Sequence, residues 1–184
     1  MRLYRQTIED FSLYTGRNLE ENEKEALYTA AGAMSAKMRA IRIVSASNVS
    51  KRELQHRLIQ KGEDPEQAKQ AVAWMEEMSV LDDRKTADQI VRSCASKGYG
   101  INRARQVLYE KRVPKDIWEE ALQDYPDQSA YILSFLKSRL TADSDIRTRQ
   151  KATNALIRRG HNYSDIRTAL QALGEDADDF REDF

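Results

Sequence analysis

Apolar residues recur at three- and four-residue spacing along most of the chain, and the pattern repeats. "LIQKG" at Leu58–Gly62 returns as "LYEKR" at Leu108–Arg112 and as "LIRRG" at Leu156–Gly160. Without gaps, Leu58, Leu108 and Leu156 align, as do Lys61, Lys111 and Arg159. Thirteen residues after each leucine stands Ala71, Ala121 or Ala169, followed by Val72, Leu122 or Leu170. Between them lies Asp64-Pro65, Val113-Pro114 or Asn162-Tyr163-Ser164. Each unit reads helix, short turn, helix. A period of 48–50 residues marks stacked supersecondary units, none able to bury its apolar side alone.

The helix boundaries carry their own signals. Ser50 with Glu53 has the spacing of a capping box. Asp64-Pro65 places a cap before proline at the first helical position. Asp82-Asp83 opens a helix to about Lys97, which Gly98-Tyr99-Gly100 ends. Helical spacing joins Ala68, Ala71, Val72 and Met75, then Ile117, Ala121 and Leu122, then Ile166, Ala169, Leu170 and Leu173. A further helix precedes each pair, at about Glu23–Val44, Asp83–Lys97 and Pro126–Leu140. The expected fold is all-α: three tandem three-helix repeats, nine helices, over residues 21–80, 81–124 and 125–173. Residues 1–20 read poorly as helix and as a remnant of another module, and 174–184 as a frayed acidic tail.

Composition fits this picture. The 184 residues are 40% hydrophobic and 33% charged, with seven Gly and three Pro. No apolar run approaches the ~18 residues of a membrane span, and the N-terminus lacks a signal-peptide core. One cysteine, Cys94, excludes an internal disulfide framework and reads as a small core residue. A soluble, intracellular, helical monomer is the first expectation. Net charge is zero but unevenly spread: +1 over 1–48, −3 over 49–83, +4 over 84–123, +3 over 124–173 and −5 over 174–184. A basic stretch of this kind fits either an anionic partner or a solvated helical surface.

The order of motifs resembles the RecX family of regulatory proteins. "SKRELQHRLIQKG" is similar to the family's opening module, and "MSVLDDRKTADQIVRSCASKGYGINRARQVLYEKRVPKDIWEEAL" to its middle module. The likeness runs from about Glu20 to Leu173 and is strongest from Ser50 to Leu122. Ser47-Asn48-Val49 stands where the family usually has Arg-x-Arg, and Arg112-Val113 where it prefers Gly-Ile. "LYTGRNLEENE" looks like the end of an N-terminal module that some members carry whole. The resemblance implies a cytoplasmic, non-enzymatic modulator of the RecA recombinase: a curved, elongated three-repeat solenoid lying along the groove of the RecA–single-stranded-DNA filament. It implies restraint of filament growth, ATP hydrolysis and strand exchange. A weak direct contact with DNA stays open beside it. Two other readings compete: a direct nucleic-acid binder, and a generic helical-repeat adaptor.

Candidate contacts follow from side-chain placement. Arg147, Lys151, Asn154 and Arg158, at i, i+4, i+7 and i+11, form a polar stripe about 16 Å long opposite Ala152, Ala155 and Leu156. It suits phosphates or acidic side chains, or is an ordinary solvated face. Arg105, Tyr109 and Arg112 share a second face, where an aromatic between arginines suits stacking or an anchor; Tyr109 half-buried between repeats is the competing reading. Arg103 aligns with Lys151. Lys61, Lys111 and Arg159 are partner contacts, or else cations favoured by a helix C-terminus. Trp74 and Trp118 read as packing. His56 and His161 lack ligands at metal spacing, so no metal or cofactor is expected. No phosphate loop and no nucleophile–base constellation is present, so no catalytic residue is assigned.

Overall fold

The computed structural model describes residues 3–141 and 143–174, and every regular element among them is helical. The α-helices are α1 Arg5–Asp10, α2 Glu21–Ala46, α3 Lys51–Gln60, α4 Pro65–Glu77, α5 Asp83–Ser96, α6 Ile101–Glu110, α7 Trp118–Leu122, α8 Ser129–Lys137, α9 Ile146–Arg158 and α10 Tyr163–Ala172. A 3₁₀ turn, Lys115–Ile117, leads into α7. These helices gather into two compact units. One runs to Thr86 and includes Lys111–Val113; the other holds Ala87–Glu110 and the chain from Pro114.

In the first unit α2 packs against α3 and α4. Ala36 and Ala40 of α2, Leu54 and Leu58 of α3, and Ala68, Ala71, Val72 and Met75 of α4 form its core. Alanines on the facing sides let the helices approach closely, and the leucines fill what remains. Full burial of Leu54 and Leu58 stabilises by about 1.5–3 kcal/mol each. Buried Glu63 is held by Arg39 Nε at 2.6 Å and the Ser35 hydroxyl at 3.0 Å. In the second unit α10 packs on α8 and α9. Ile132, Leu136, Ala152, Leu156, Ile166 and Leu170 centre that core, and Leu173 packs at its edge. The Tyr125 hydroxyl donates to the Tyr99 carbonyl at 2.7 Å, and burial pushes its pKa up to about 12.

Four details differ from the sequence reading. Arg5–Asp10 is helical: its one turn is laced by Arg5–Glu9 and Gln6–Asp10 pairs, and it buries Thr7. Ten α-helices therefore stand among the described residues, where nine were expected. The helix expected from Pro126 begins only at Ser129. The second helix of the middle pair shrinks to a 3₁₀ turn and five α-helical residues. Pro114 precedes it with no side-chain cap, whereas Asp64 caps α4 through two backbone N–H groups. Finally, Ser50 caps α3 by accepting from the Glu53 N–H at 3.1 Å, but Glu53 turns away from the cap. Its carboxylate takes Arg57 at 2.7 Å and Arg112 at 3.1 Å, while Asp83 accepts the next amide, the Lys51 N–H, at 2.8 Å. The acidic run expected to fray, from Glu175 on, lies outside the described residues.

Candidate cationic interface

Helix α9 starts at Asp145, which accepts the Thr148 N–H at 2.8 Å. The Thr148 side chain and backbone hold the Asp145 carboxyl below the usual carboxylate range. From this fixed start, the 3.6-residue period sorts the helix cleanly. Ala152, Thr153 and Leu156 are buried, while Arg147, Lys151, Asn154 and Arg158 are exposed. Neither Arg147 nor Arg158 has an ion-pair partner among the described residues; Lys151 lies near enough to Asp145 to help hold its carboxyl down. The four side chains make one open, cationic strip.

The C-terminal end of that strip abuts α6. The Gly100 N–H donates to the Arg159 carbonyl at 2.9 Å, and the Asn102 N–H to the Gly160 carbonyl at 3.2 Å. Amides freed at the start of one helix thus satisfy carbonyls freed at the end of the other, and opposite helix-dipole ends meet. Asn102 and Asn162 tie their side chains across the same junction at 2.9 Å. The approach requires glycine. A Cβ on Gly100 would fall on the Gly160 carbonyl, and one on Gly160 on the Arg103 backbone.

The candidate residues divide by what they touch. On α6, Arg105 is exposed, with a long contact to Asn102 Oδ1 at 3.4 Å. Tyr109 is 68% exposed, which removes the half-buried reading of its ring. Arg103 is half-buried and paired with Glu110 at 3.2 Å. Lys111 gives its carbonyl to the Ser50 hydroxyl at 2.7 Å, and Arg112 is paired with Glu53. Both belong to the first unit.

Arg159 turns inward. Its guanidinium lies over the rings of Tyr99, Tyr131 and Phe135, at 5.3, 5.5 and 5.9 Å. His161 stacks on Tyr131, with ring centroids 5.7 Å apart, and shares a hydrogen bond with the Gly98 carbonyl at 3.1 Å. Burial, aided by the Arg159 charge, pushes the His161 pKa below its ordinary 6.5. Sequence reasoning missed this cluster. Its one sequence signal is that Gly98-Tyr99, Tyr131 and Arg159-Gly160-His161 carry aromatic or cationic groups at three helix ends. Cys94 is buried, and burial pushes its thiol pKa up. Among the described residues no group of three or more His, Cys, Asp or Glu is placed to hold a metal ion, and no helix is long and apolar enough to cross a membrane.

Comparison with known proteins agrees with this architecture. Residues 82–122 match the family model described as "RecX, second three-helix domain". A Regulatory protein RecX of Vibrio parahaemolyticus serotype O3:K6 is 30% identical over 149 residues, spanning 79% of this chain and 96% of that protein. That of Halorhodospira halophila is 30% identical over 151 residues, spanning 79% and 94%. Among solved structures, the crystal structure of regulatory protein RecX superposes with a TM-score of 0.69 at 20% identity, covering 90% of this chain and 85% of that one. The crystal structure of RecX from Lactobacillus salivarius gives 0.66 at 20% identity, covering 79% and 98%. The all-helical repeat architecture, the matched middle module and the near full-length likeness to named relatives converge: this chain belongs to the RecX family of regulatory proteins.

Proposed function

We propose that the protein is a non-enzymatic regulator of the RecA recombinase that binds the RecA–single-stranded-DNA filament in its groove and restrains filament extension, ATP hydrolysis and strand exchange. It acts as a cytoplasmic monomer. The repeats 21–80, 81–124 and 125–173 are its functional modules. The observation that carries the reading is the exposed strip Arg147, Lys151 and Arg158 on α9, a row of cations without ion-pair partners among the described residues in a member of this family. A surface of this kind meets phosphate oxygens or acidic side chains, both of which a nucleoprotein filament presents. Arg105 and Tyr109 supply a second exposed contact of a kind enriched at binding hot spots. The side chains of Arg103, Arg112 and Arg159 have structural partners, so their part in the contact is secondary, whereas Lys111 is tied only through its carbonyl.

The test is DNA-dependent ATP hydrolysis by RecA from the same organism, titrated with this protein, with filament length followed in parallel. The expected result is a fall in both at or below equimolar ratio. Unchanged hydrolysis and unchanged length at several-fold excess overturn the proposal. Binding to bare single-stranded DNA that weakens steeply with salt and needs no RecA would favour the direct nucleic-acid reading instead.

A further inference from the structure

Within the second unit, α6 and the 3₁₀ turn with α7 enclose a cleft of about 360 Å³. Leu122, buried, and Ile101, half-buried, give it an apolar base; Trp118, Arg105, Lys115 and Glu119 also line it. The indole stands there because of how this repeat is built. Trp118 aligns with Ala68 and Ile166, both fully buried. In the middle repeat the 3₁₀ turn gives the inward place to Ile117, one residue earlier, and Trp118 stays half-buried. We propose that this cleft takes an unpaired nucleobase stacked on Trp118, with the flanking phosphates on Arg105 and Lys115, so that α6 meets the single strand itself. The proposal rests on reading Arg105 and Tyr109 as a contact face and deepens it, by naming the bases of a single strand as what they meet.

Size, charge and spacing agree. The cleft falls within the ~300–1,000 Å³ of small-ligand sites. An aromatic face beside cations is the arrangement on which bases of a single strand stack while their phosphates are held. Arg105 and Lys115 come from different elements, α6 and the 3₁₀ turn, and both are exposed. An acidic side chain would satisfy these cations but leave the indole and the apolar base uncovered; a nucleotide meets both. Glu119 narrows the orientation. Its charge keeps phosphate from its side, and a carboxylate there accepts from a base amino group such as cytosine N4. The backbone therefore passes Arg105 and Lys115 while the base edge faces Glu119. Tyr109 extends the platform: it is exposed and lies one turn beyond Arg105, about 6 Å along α6. Stacked bases rise ~3.4 Å each, so this second ring serves a base two steps on. Paired bases hide their faces in the duplex stack, so the cleft selects single strands.

The experiment uses the full chain carrying Trp74→Phe, which leaves Trp118 as its one indole. Emission is followed as a short deoxycytidine oligomer, or an abasic oligomer of equal length, is added at constant salt. Anisotropy of the same labelled oligomers on the unmodified chain gives the affinities independently of that substitution. The deoxycytidine oligomer is expected to quench Trp118 and to bind about tenfold tighter than the abasic one, which is expected to leave the emission unchanged. Arg105→Gln with Lys115→Gln, both at exposed positions, should keep the fold and weaken the deoxycytidine oligomer by about tenfold. Equal quenching and affinity with the abasic oligomer overturn the proposal, because phosphate contact alone would then explain them. Emission unmoved by either oligomer overturns it too. A Trp118 signal that answers RecA without DNA but not the oligomer also overturns it, and makes the cleft a protein-docking site. If the deoxycytidine oligomer quenches Trp118 while RecA hydrolysis ignores this protein, the base cleft stands and only the RecA reading falls.

Discussion

At Arg112 a long side chain occupies backbone that usually belongs to glycine, with φ at 54°. The aligned turns use Gly62 at 88° and Gly160 at 86°. An L-residue in this region costs on the order of 1 kcal/mol. The Arg112–Glu53 pair offsets little of that, since Arg112 is half-exposed and Glu53 keeps Arg57. Arg112→Gly is therefore expected to raise stability by about 0.5 kcal/mol, and Arg112→Ala, which keeps the strain and loses the pair, to lower it by a similar amount. Urea denaturation of the three proteins checks the order. His161 gives a pH dependence. Its folded-state pKa lies below its ordinary 6.5, chiefly because burial disfavours the charged ring. The unfolded chain then binds the proton first, so stability is whole above about 6.5 and falls as pH drops toward the folded value. The melting temperature should fall between about pH 7.5 and about pH 5.5, and His161→Gln should flatten that difference. The Arg159 cluster could not be read from sequence. Lys61, Lys111 and Arg159 share one repeat position, yet Lys61 is exposed and only Arg159 finds aromatic rings beside it. Those rings come from Tyr99 and Tyr131, which no local pattern pairs with it.

Among helices, the junction of α6 with the end of α9 is a close backbone-to-backbone contact within the second unit. Its two glycines are needed for closeness. Gly160→Ala adds a backbone clash with Arg103 to an unfavourable φ, while Gly62→Ala meets no neighbouring atom. The expected cost at Gly62 is about 1 kcal/mol and at Gly160 more than about 2 kcal/mol. Thermal melts of the two variants decide it, and the amides of Gly100 and Asn102 should lose exchange protection only in Gly160→Ala. The helices themselves were legible because their signals are local. Leu58, Leu108 and Leu156, aligned by sequence alone, are each fully buried. The stripe on α9 was legible for the same reason, as one period sorts its exposed and buried sides. Failures came where tertiary contact overrode the local rule. Glu53 matches a capping box but is drawn to two arginines, one of them 59 residues away. Pro114 opens a helix that lacks the cap to extend, and Ala121 consequently stays partly exposed where Ala71 and Ala169 are buried.

Over the whole molecule, zero net charge hides a division of labour in which only some cations remain open to a partner. Reversing Arg147, Lys151 and Arg158 together to Glu should leave helicity intact, since exposed substitutions shift stability by under about 0.5 kcal/mol each. The same variant should blunt the effect on RecA hydrolysis by about tenfold or more in the concentration required. A variant that folds and acts like the parent would make the strip a solvated surface and no more. Charge counts pointed to this half of the chain, but not to which arginines are engaged, because pairing depends on neighbours many residues distant. The division into two units was likewise hidden, since the repeat period marks three successive segments. Chain order within those units bears on how the protein is made. The first unit is completed by Lys111–Val113, where the Lys111 carbonyl receives the buried Ser50 hydroxyl and Val113 is buried. During synthesis that closing piece leaves the ribosome only after α5 and α6 have emerged. A nascent chain arrested with residue 110 just outside the exit tunnel should remain open to protease near Ser50. Arrest a few residues later should protect it, so the first unit matures as the second is already forming.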